Sequence, residues 1–449
     1  MTAPAVPQAR AGALAPPPAR EPGPVARLRR SAATPPGRLR AAGAVLAALV
    51  LLFGAVAVWQ SVHRSRAAGQ VVSASGPLSQ DAAEIYLRLA DADATAAAGF
   101  LLAVDEPATV RGHYQDDLST AAERLAEAAG RSGGTGDPKL TELNQQLSRY
   151  AGLVETARAL DRQGLPLGGA YLRYASELMQ GTVLPKAQSL AEDESARLDS
   201  DYRAAGATPW AALALGVLAL AALARYQVLL FRRTNRVFNP GLLGGSLAVL
   251  AALGWLLAGT MTAGDDLARG RTYGTRPLRE LDQVRIAALK AHTAENLDLV
   301  ARGASDKYTK QWADLVATLD QDPRTVGSVS GLQAGAPPDA ANLLTDAASA
   351  YQQWQDRHKD AAAQNSAGNY EAALQRTLTA GGPDTADAAF QDAGRKWKDA
   401  AKVEQDAFAK ATAGLDGMLT GQAVAAGVLS VLGAAAALRG IGRRLAEYR

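Results

Sequence analysis

The stretch FRRTNRVFNPG (residues 231–241) places three arginines between two long runs of aliphatic residues. The run that follows it, PGLLGGSLAVLAALGWLLAGTMT (240–262), contains no charged residue. A helix needs about 20 apolar residues to cross a bilayer, so this run predicts a membrane span. Lys and Arg collect on the cytoplasmic flanks of such spans. The arginine-rich stretch therefore predicts a short cytoplasmic hairpin, residues 232–239, between two spans.

Working outward from the hairpin, four runs are long and apolar enough to be spans. They are residues 41–60, 209–231, 240–262 and 421–438. Each run taken alone could instead be a buried core helix. Together with the placement of charge, however, they favour a membrane protein with an even number of spans.

The charges of the chain are divided by segment. Residues 1–40 hold seven arginines and one glutamate, and the tail 439–449 is also basic. The two long segments between the spans, 61–208 and 263–420, hold more acidic than basic residues. We therefore predict a cell-membrane protein with both termini in the cytoplasm and both long segments outside. The basic, Pro-rich leader is predicted to be disordered, and the basic stretches indicate contact with membrane lipids but not with nucleic acid.

Both outer segments carry the periodicity of packed helices. Apolar and small residues recur at steps of three and four along the first one, as in a helix bundle. They are Leu78, Ala82, Ile85, Leu89, Ala92, Ala96 and Gly99. Glycine-rich stretches separate the helices, and Pro185 predicts a kink. The second segment repeats this plan, and PLSQDAAEIYLRL at residue 77 echoes PLRELDQVRIAAL at residue 277.

The predicted fold is thus an all-α membrane protein with four transmembrane helices and two extracytoplasmic antiparallel helical bundles, a duplicated sensor-like architecture. The chain has no cysteine, which excludes thiol catalysis and cysteine-based metal sites. It has no nucleotide-binding, protease or kinase motif, and its four histidines lack metal-ligand spacing. Neighbouring acids such as Asp91 with Asp93 and Asp116 with Asp117 are interpreted as solvated helix faces. No catalytic residue, cofactor or metal is predicted.

A first candidate binding site is the joint LDRQGLPLGGAYLRY (160–174). Here Gly164 and Gly168 lie close in sequence to Arg162 and Arg173. Flexible glycine backbone beside guanidinium groups could receive a carboxylate or a loop of a partner. The alternative is an ordinary turn between two helices.

A second candidate site is the first helix of the second outer segment. Arg285, His292 and Asn296 occupy positions that correspond, 200 residues earlier, to small or apolar seam residues. This register would place polar groups in a helix seam. A slight rotation of the helix would expose them instead, and from the sequence we favour exposure.

Three stretches carry a family resemblance: YLRLADADATAAAGFL (86–101), YAGLVETARALDRQGLPLGGAYLRYASELM (150–179) and FRRTNRVFNPGLL (231–243). With the order of spans, they resemble the GlnX family, the membrane component of the actinobacterial GlnH, GlnX and PknG module. The resemblance implies an extracytoplasmic amino-acid-binding lipoprotein, GlnH-like, as one partner. It implies a cytoplasmic Ser/Thr protein kinase, PknG-like, as the other. No binding residue is carried over from the family.

The leading hypothesis is a non-enzymatic transmembrane sensor and relay for amino-acid sensing, because the cytoplasmic portions are too short to be a kinase or cyclase domain. One alternative is a structural or assembly protein of the cell envelope. Another is a transporter subunit. The spans argue against it, because they have hardly any polar residue at mid-depth, where a substrate or ion pathway needs them. The sequence leaves open whether the chain forms a homo-oligomer.

Overall fold

The computed structural model describes residues 35–102, 106–131, 138–234, 239–303, 306–321, 327–334, 338–378, 382–412 and 415–446. Within these ranges the chain is helical and contains no strand. The helices of the first half are α1 (Pro35–Gln70), α2 (Gly76–Leu102), α3 (Ala108–Arg131), α4 (Pro138–Arg162), α5 (Leu167–Leu178), α6 (Leu184–Ala205) and α7 (Trp210–Thr234). Those of the second half are α8 (Pro240–Gly270), α9 (Arg276–Ala301), α10 (Lys307–Leu319), α11 (Val329–Ala334), α12 (Ala341–Ser366), α13 (Tyr370–Thr377), α14 (Ala386–Thr412) and α15 (Leu415–Ala446).

The chain divides into two compact units. The span unit comprises Met1–Val58, Trp210–Trp255 and Ala425–Arg449. The bundle unit comprises Trp59–Pro209 and Leu256–Val424. The four predicted spans lie in α1, α7, α8 and α15, which are helices long and apolar enough to cross a membrane. The prediction of an all-helical protein with four spans is therefore confirmed, whereas the cytoplasmic placement of the termini stays a prediction.

Several helix ends differ from the predicted boundaries. Helix α1 spans Pro35–Gln70 in the described residues and so extends beyond the apolar run 41–60 at both ends. Helices α7 and α15 continue to Thr234 and Ala446, past the apolar runs on which the boundaries were based. Helix α6 was expected to run into the second span, but residues 206–209 are not helical. Pro209 disfavours helical backbone in the residue before it.

Some predicted features lie outside the described residues. They are the leader up to residue 34, the stretch 132–137, the hairpin residues 235–238 with Arg236, and the tail residues 447–449.

In the described part of the chain, three π-turns interrupt otherwise long helices, and each comes just before a proline. The turns are Val71–Ser75, Met179–Val183 and Arg271–Thr275, followed by Pro77, Pro185 and Pro277. A proline ring clashes with the carbonyl four residues earlier. The wider π-turn accommodates the ring, so the helix continues past the proline. The first and third turns are 200 residues apart, which agrees with a duplicated plan.

The bundle unit has one apolar core that both halves share. Helix α2 packs on α3 and α6 of its own half and also on α9 of the second half. The predicted seam of α2 is buried apart from the half-buried Leu78, and Ile85, Leu89 and Ala92 are fully covered. Opposite them, α9 buries Ala288 and Ala291. Because the seam residues are mostly small, the helices approach closely, and the two predicted bundles form a single compact unit.

Close helix packing in the span unit leads to a first prediction. At Gly241 of α8, an added Cβ would lie closer than 3.0 Å to the Gly440 Cα and to the Ala436 carbonyl oxygen of α15. Because backbone atoms cannot yield as a flexible side chain can, Gly241→Ala should separate α8 from α15 at a cost of about 1–3 kcal/mol. We expect the melting temperature of the detergent-purified protein to fall by several degrees.

The control for this prediction is Gly254→Ala in the same helix, where an added Cβ meets nothing within 4 Å. Its melting temperature should stay at or slightly above that of the wild type, since alanine has the higher helix propensity. Equal melting temperatures for the two variants would contradict the close contact of α8 with α15.

Candidate functional site: a basic cavity between the two halves of the bundle unit

A cavity of about 390 Å³ lies between helices α2 and α3 of the first half and α9 and α14 of the second. We call it the basic cavity because its lining includes five cationic or imidazole side chains and one carboxylate. These are Arg88, His113, Arg285, Arg395 and Lys398, with Asp91 as the acid. Apolar side chains, including Leu87, Leu289, Phe390 and Trp397, complete the walls. Its volume is at the small end of the range for ligand pockets.

Helical periodicity explains why these residues share one opening. Residues three or four apart lie on the same helix face. Arg88 and Asp91 of α2 have this spacing, and so do Arg395 and Lys398 of α14. The cavity therefore receives charge from both halves of the unit.

The first-half wall is an ion-pair cluster. The Arg88 Nη1 lies 3.0 Å from the Asp117 Oδ1, and the side chain of Asp117 is fully buried. The His113 Nε2 lies 3.3 Å from the Asp91 Oδ2 and 3.4 Å from the Asp117 Oδ2. The hydrogen bond with Asp91 is the main cause that raises the pKa of His113 to about 9. His113 is thus a cation at neutral pH.

The donor atoms of Asp91, His113 and Asp117 lie within 4.8 Å of one another, a spacing that a metal ion could use. However, Arg88 already donates to one of the two carboxylates. The neighbouring guanidinium groups also oppose a further cation. We therefore interpret the cluster as an ion-pair network.

The second-half wall presents a poorly compensated cation. The side chain of Arg285 is only 17% exposed, and its Nη1 reaches the Asp282 Oδ1 at 3.5 Å, which is long for an ion pair. Burial lowers the pKa of Arg285, because desolvation disfavours the charged form. The guanidinium group of Arg285 therefore lines the cavity and interacts only weakly with its protein partner, Asp282.

Behind this wall lies a buried polar network centred on Glu295, which we call the Glu295 network. The Glu295 carboxylate lies 3.0 Å from the His292 Nδ1 and 2.8 Å from the His358 Nδ1. It also accepts a hydrogen bond of 2.9 Å from the Trp354 Nε1. The His292 Nε2 lies 3.3 Å from the Asp387 Oδ1. Phe390, a cavity residue, stacks on the His292 ring with the centroids 4.1 Å apart, and so joins the network to the cavity wall.

The charges of the Glu295 network support one another. Burial acts to lower the pKa of His292, but hydrogen bonds with Asp387 and Glu295 outweigh it and raise this pKa to about 9. Burial likewise acts to raise the pKa of Glu295, but the charge of His358 and the hydrogen bonds with both histidines hold it at about 2. The carboxylate and the His292 imidazolium are therefore both ionised at neutral pH.

The first half contains a buried acid of a different kind. Asp93 is 3% exposed and accepts hydrogen bonds from Tyr150 Oη at 3.2 Å, Ser176 Oγ at 2.8 Å and Gln180 Nε2 at 3.2 Å. All three donors are neutral. Burial therefore dominates and raises the pKa of Asp93 to about 6.

The first predicted site lies at the turn between α4 and α5 and does not line the basic cavity. Gly164 adopts a positive φ of 69° in the turn between α4 and α5, which favours glycine. Gly168 packs on the α4 backbone at Ala157 and Asp161, with no room for a Cβ. Arg162 is exposed and Arg173 is half-buried, and neither lines the cavity.

Only one residue of the second predicted site, Arg285, lines the basic cavity. His292 and Asn296 lie in the interior two and three turns further along α9. The preference for exposure of these residues was wrong, because His292 is 3% and Asn296 0% exposed. Glu295 of the same helix and Asp387 of α14 satisfy the imidazole, so a buried register of α9 is favourable.

Other residues of the site were missed from the sequence. The acidic pairs were interpreted as solvated faces, yet Asp93 and Asp117 are buried. One signal was present, namely the spacing of four residues between His113 and Asp117 on one helix. The hydrogen-bond donors to Asp93 come from helices more than 50 residues away and left no local pattern.

Comparison with known families gives one relevant similarity. Residues 67–203 match the model of the actinobacterial sensor domain. This stretch is less than half of the chain and includes α2 to α5 and most of α6, and with them the first-half wall of the basic cavity. Neither the curated proteins nor the solved structures compared with the chain provide a match. The similarity supports a sensing role for a membrane protein with four candidate spans.

Proposed function

We propose that the chain is a non-enzymatic transmembrane sensor and relay. In this proposal the bundle unit lies outside the cell and receives an amino-acid signal, and the spans carry it to a cytoplasmic recipient. The resemblance to GlnX supplies the candidate partners. These are a GlnH-like amino-acid-binding lipoprotein outside and a PknG-like Ser/Thr protein kinase inside.

One observation carries the proposal: the two central helices of the bundle unit are direct extensions of spans. Helix α1 passes through the π-turn Val71–Ser75 into α2, and α8 passes through Arg271–Thr275 into α9. Helices α2 and α9 pack on each other in the shared core and also line the basic cavity. A shift of α2 against α9 would therefore be transmitted along two spans as an axial or rotational movement.

The required energy is modest. A partner that biases the inner ends of the spans must bind two arrangements of α2 and α9 with affinities that differ by about 1–3 kcal/mol. A change in a few contacts at the cavity or on the outer helices can supply this difference.

The partner prediction is tested by purifying the tagged full-length chain from native membranes, with and without amino acids, after cross-linking. We expect to recover an amino-acid-binding lipoprotein and a Ser/Thr kinase, with the recovery of at least one of them changed by the amino acid. Recovery of envelope proteins alone would instead favour a structural role. Solute flux through the purified protein in liposomes would favour a transporter.

A second prediction tests the transmission path. Insertion of two glycines within Val71–Ser75 should break the helical connection between α1 and α2, since glycine disfavours helix. We expect this variant to bind the outer partner as the wild type does, but to lose the amino-acid dependence of kinase-substrate phosphorylation in membranes.

The matched control is the same insertion at Gly164, in an exposed turn where the helix has already ended. It should preserve the amino-acid response. If the insertion in Val71–Ser75 left the response intact, the relay through α1 and α2 would be wrong.

A further inference from the structure

We propose that the basic cavity is itself a ligand site, and that it binds a small organic molecule through a carboxylate group held by Arg285, Lys398 and Arg88. The inference rests on the proposed sensing function and adds to it a chemical class of ligand and a place of binding.

The first argument is charge. The cavity lining gathers Arg88, His113, Arg285, Arg395 and Lys398 against the single carboxylate of Asp91. Three of these groups have firm protein partners, since Arg88 pairs with Asp117 at 3.0 Å, His113 with Asp91 at 3.3 Å and Arg395 with Asp392 at 2.8 Å. Arg285 and Lys398 are left with the weakest compensation. The excess positive charge, within walls of low polarity, attracts and concentrates anions.

The second argument is the geometry of Arg285. Its guanidinium group is largely desolvated, and the Asp282 carboxylate lies at 3.5 Å, beyond the 2.7–2.9 Å typical of a strong charge-assisted hydrogen bond. A guanidinium group can bind a carboxylate with two parallel hydrogen bonds. A ligand carboxylate in the cavity would thus satisfy Arg285 better than its protein partner does.

The third argument selects an organic anion over an inorganic one. Phe390, Trp397, Leu87 and Leu289 give the cavity apolar walls. Inorganic phosphate would leave these walls in contact with water. A carboxylate attached to a short hydrocarbon body would instead cover them, and a volume of about 390 Å³ accommodates a body of this size.

Ligand binding in the basic cavity would change the packing of the first half of the bundle unit against the second. The cationic groups come from α2 and α3 on one side and from α9 and α14 on the other. A bound carboxylate reduces the repulsion between them. The ligand would therefore favour the closer arrangement of α2 and α9.

The test uses calorimetric titration of the full-length protein in nanodiscs with succinate as the probe, at low ionic strength. We expect saturable binding below about 10 mM succinate. Succinamide, of similar shape but without charge, should not bind. Arg285→Gln should weaken succinate binding at least about tenfold, because a charge-assisted hydrogen bond is lost. Lys398→Gln should weaken it about threefold, since Lys398 is exposed at the rim.

The matched control is Lys310→Gln, an exposed lysine of α10 that does not line the basic cavity. It should leave the affinity for succinate within about twofold of the wild type. Lys398→Gln keeps the test decisive if Arg285→Gln fails to fold, because an exposed lysine can be replaced without loss of core packing.

Three outcomes would overturn the inference: no binding of succinate to the wild type, equal binding by the Lys398→Gln and Lys310→Gln variants, or binding of inorganic phosphate without succinate. The recovery of partners from membranes is a separate measurement. A failed titration with intact partner recovery would refute only the ligand site. Binding of succinate without any partner would refute only the relay.

Discussion

Replacement of Glu295 by glutamine is expected to lower the free energy of unfolding by about 3 kcal/mol. The Glu295 carboxylate is 3% exposed and faces His292 and His358 at 3.0 and 2.8 Å. Glutamine keeps the size of the side chain but removes the negative charge. Removal of one partner from a buried ion pair is costly because the other charge stays desolvated. The His292 imidazolium would keep only Asp387 as an anionic partner.

Thermal unfolding of the detergent-purified protein measures this effect, and we expect the melting temperature to fall by about 3–5 °C. The control is Glu123→Gln on the exposed face of α3, which should change the stability by no more than about 0.5 kcal/mol. If the Glu295→Gln variant had the same melting temperature as the control, the network would not be the ionised assembly described above.

The sign of the pH dependence follows from the same network. The pKa of His292 is raised in the folded state, so its stabilising contribution is complete below its ordinary value near 6.5 and is lost as the pH rises through about 9. The pKa of Glu295 is lowered, so its contribution is present above its ordinary value and is lost as the pH falls through about 2. Both contributions are complete only between the two ordinary pKa values, from about pH 4.5 to about pH 6.5, and each declines progressively outside that range.

The fold was largely predictable because two strong physical rules governed it. The requirement that a span be apolar over about 20 residues identified α1, α7, α8 and α15. Helical periodicity identified the α2 seam, and Ile85 and Leu89 are indeed fully buried. Two prolines 200 residues apart, Pro77 and Pro277, indicate the repeated plan in the sequence, and the π-turns that precede them agree with it.

The packing of α2 on α9 could not be predicted in the same way. A seam of small residues indicates that some helix approaches closely, but it carries no information about which helix does so. We therefore predicted two helical bundles, and the structure adds that they pack on one shared core. The basic cavity depends on this packing, so only Arg285 of its lining was among the predicted site residues.

The buried polar groups were unpredictable for a related reason. A polar residue on a helix is expected at the surface unless it finds partners. The partners of His292 come from its own helix and from α14, and those of Asp93 come from α4, α5 and the π-turn that follows α5. Each burial thus depends on contacts that are distant in sequence, which a local pattern does not contain.

Asp93→Asn should change the pH dependence of stability between about pH 4 and pH 7. Burial raises the pKa of Asp93 from an ordinary value of 3.8 to about 6. Protonated Asp93 is therefore favoured in the folded state, and its contribution is complete below about pH 4 and lost as the pH rises through about 6. The shift corresponds to a loss on the order of 3 kcal/mol across this interval.

The asparagine variant cannot lose a proton, so this loss should be absent from it. The measurement is the melting temperature of both proteins between about pH 4 and pH 7. The melting temperature of the variant relative to that of the wild type should rise with the pH. Other buried acids with raised pKa values, such as Asp282 and Glu404, are present in both proteins and cancel in the difference. The exposed Asp116→Asn variant should follow the wild-type curve. Parallel curves for Asp93→Asn and the wild type would show that the Asp93 carboxylate stays ionised in the core, held by Tyr150 and Ser176.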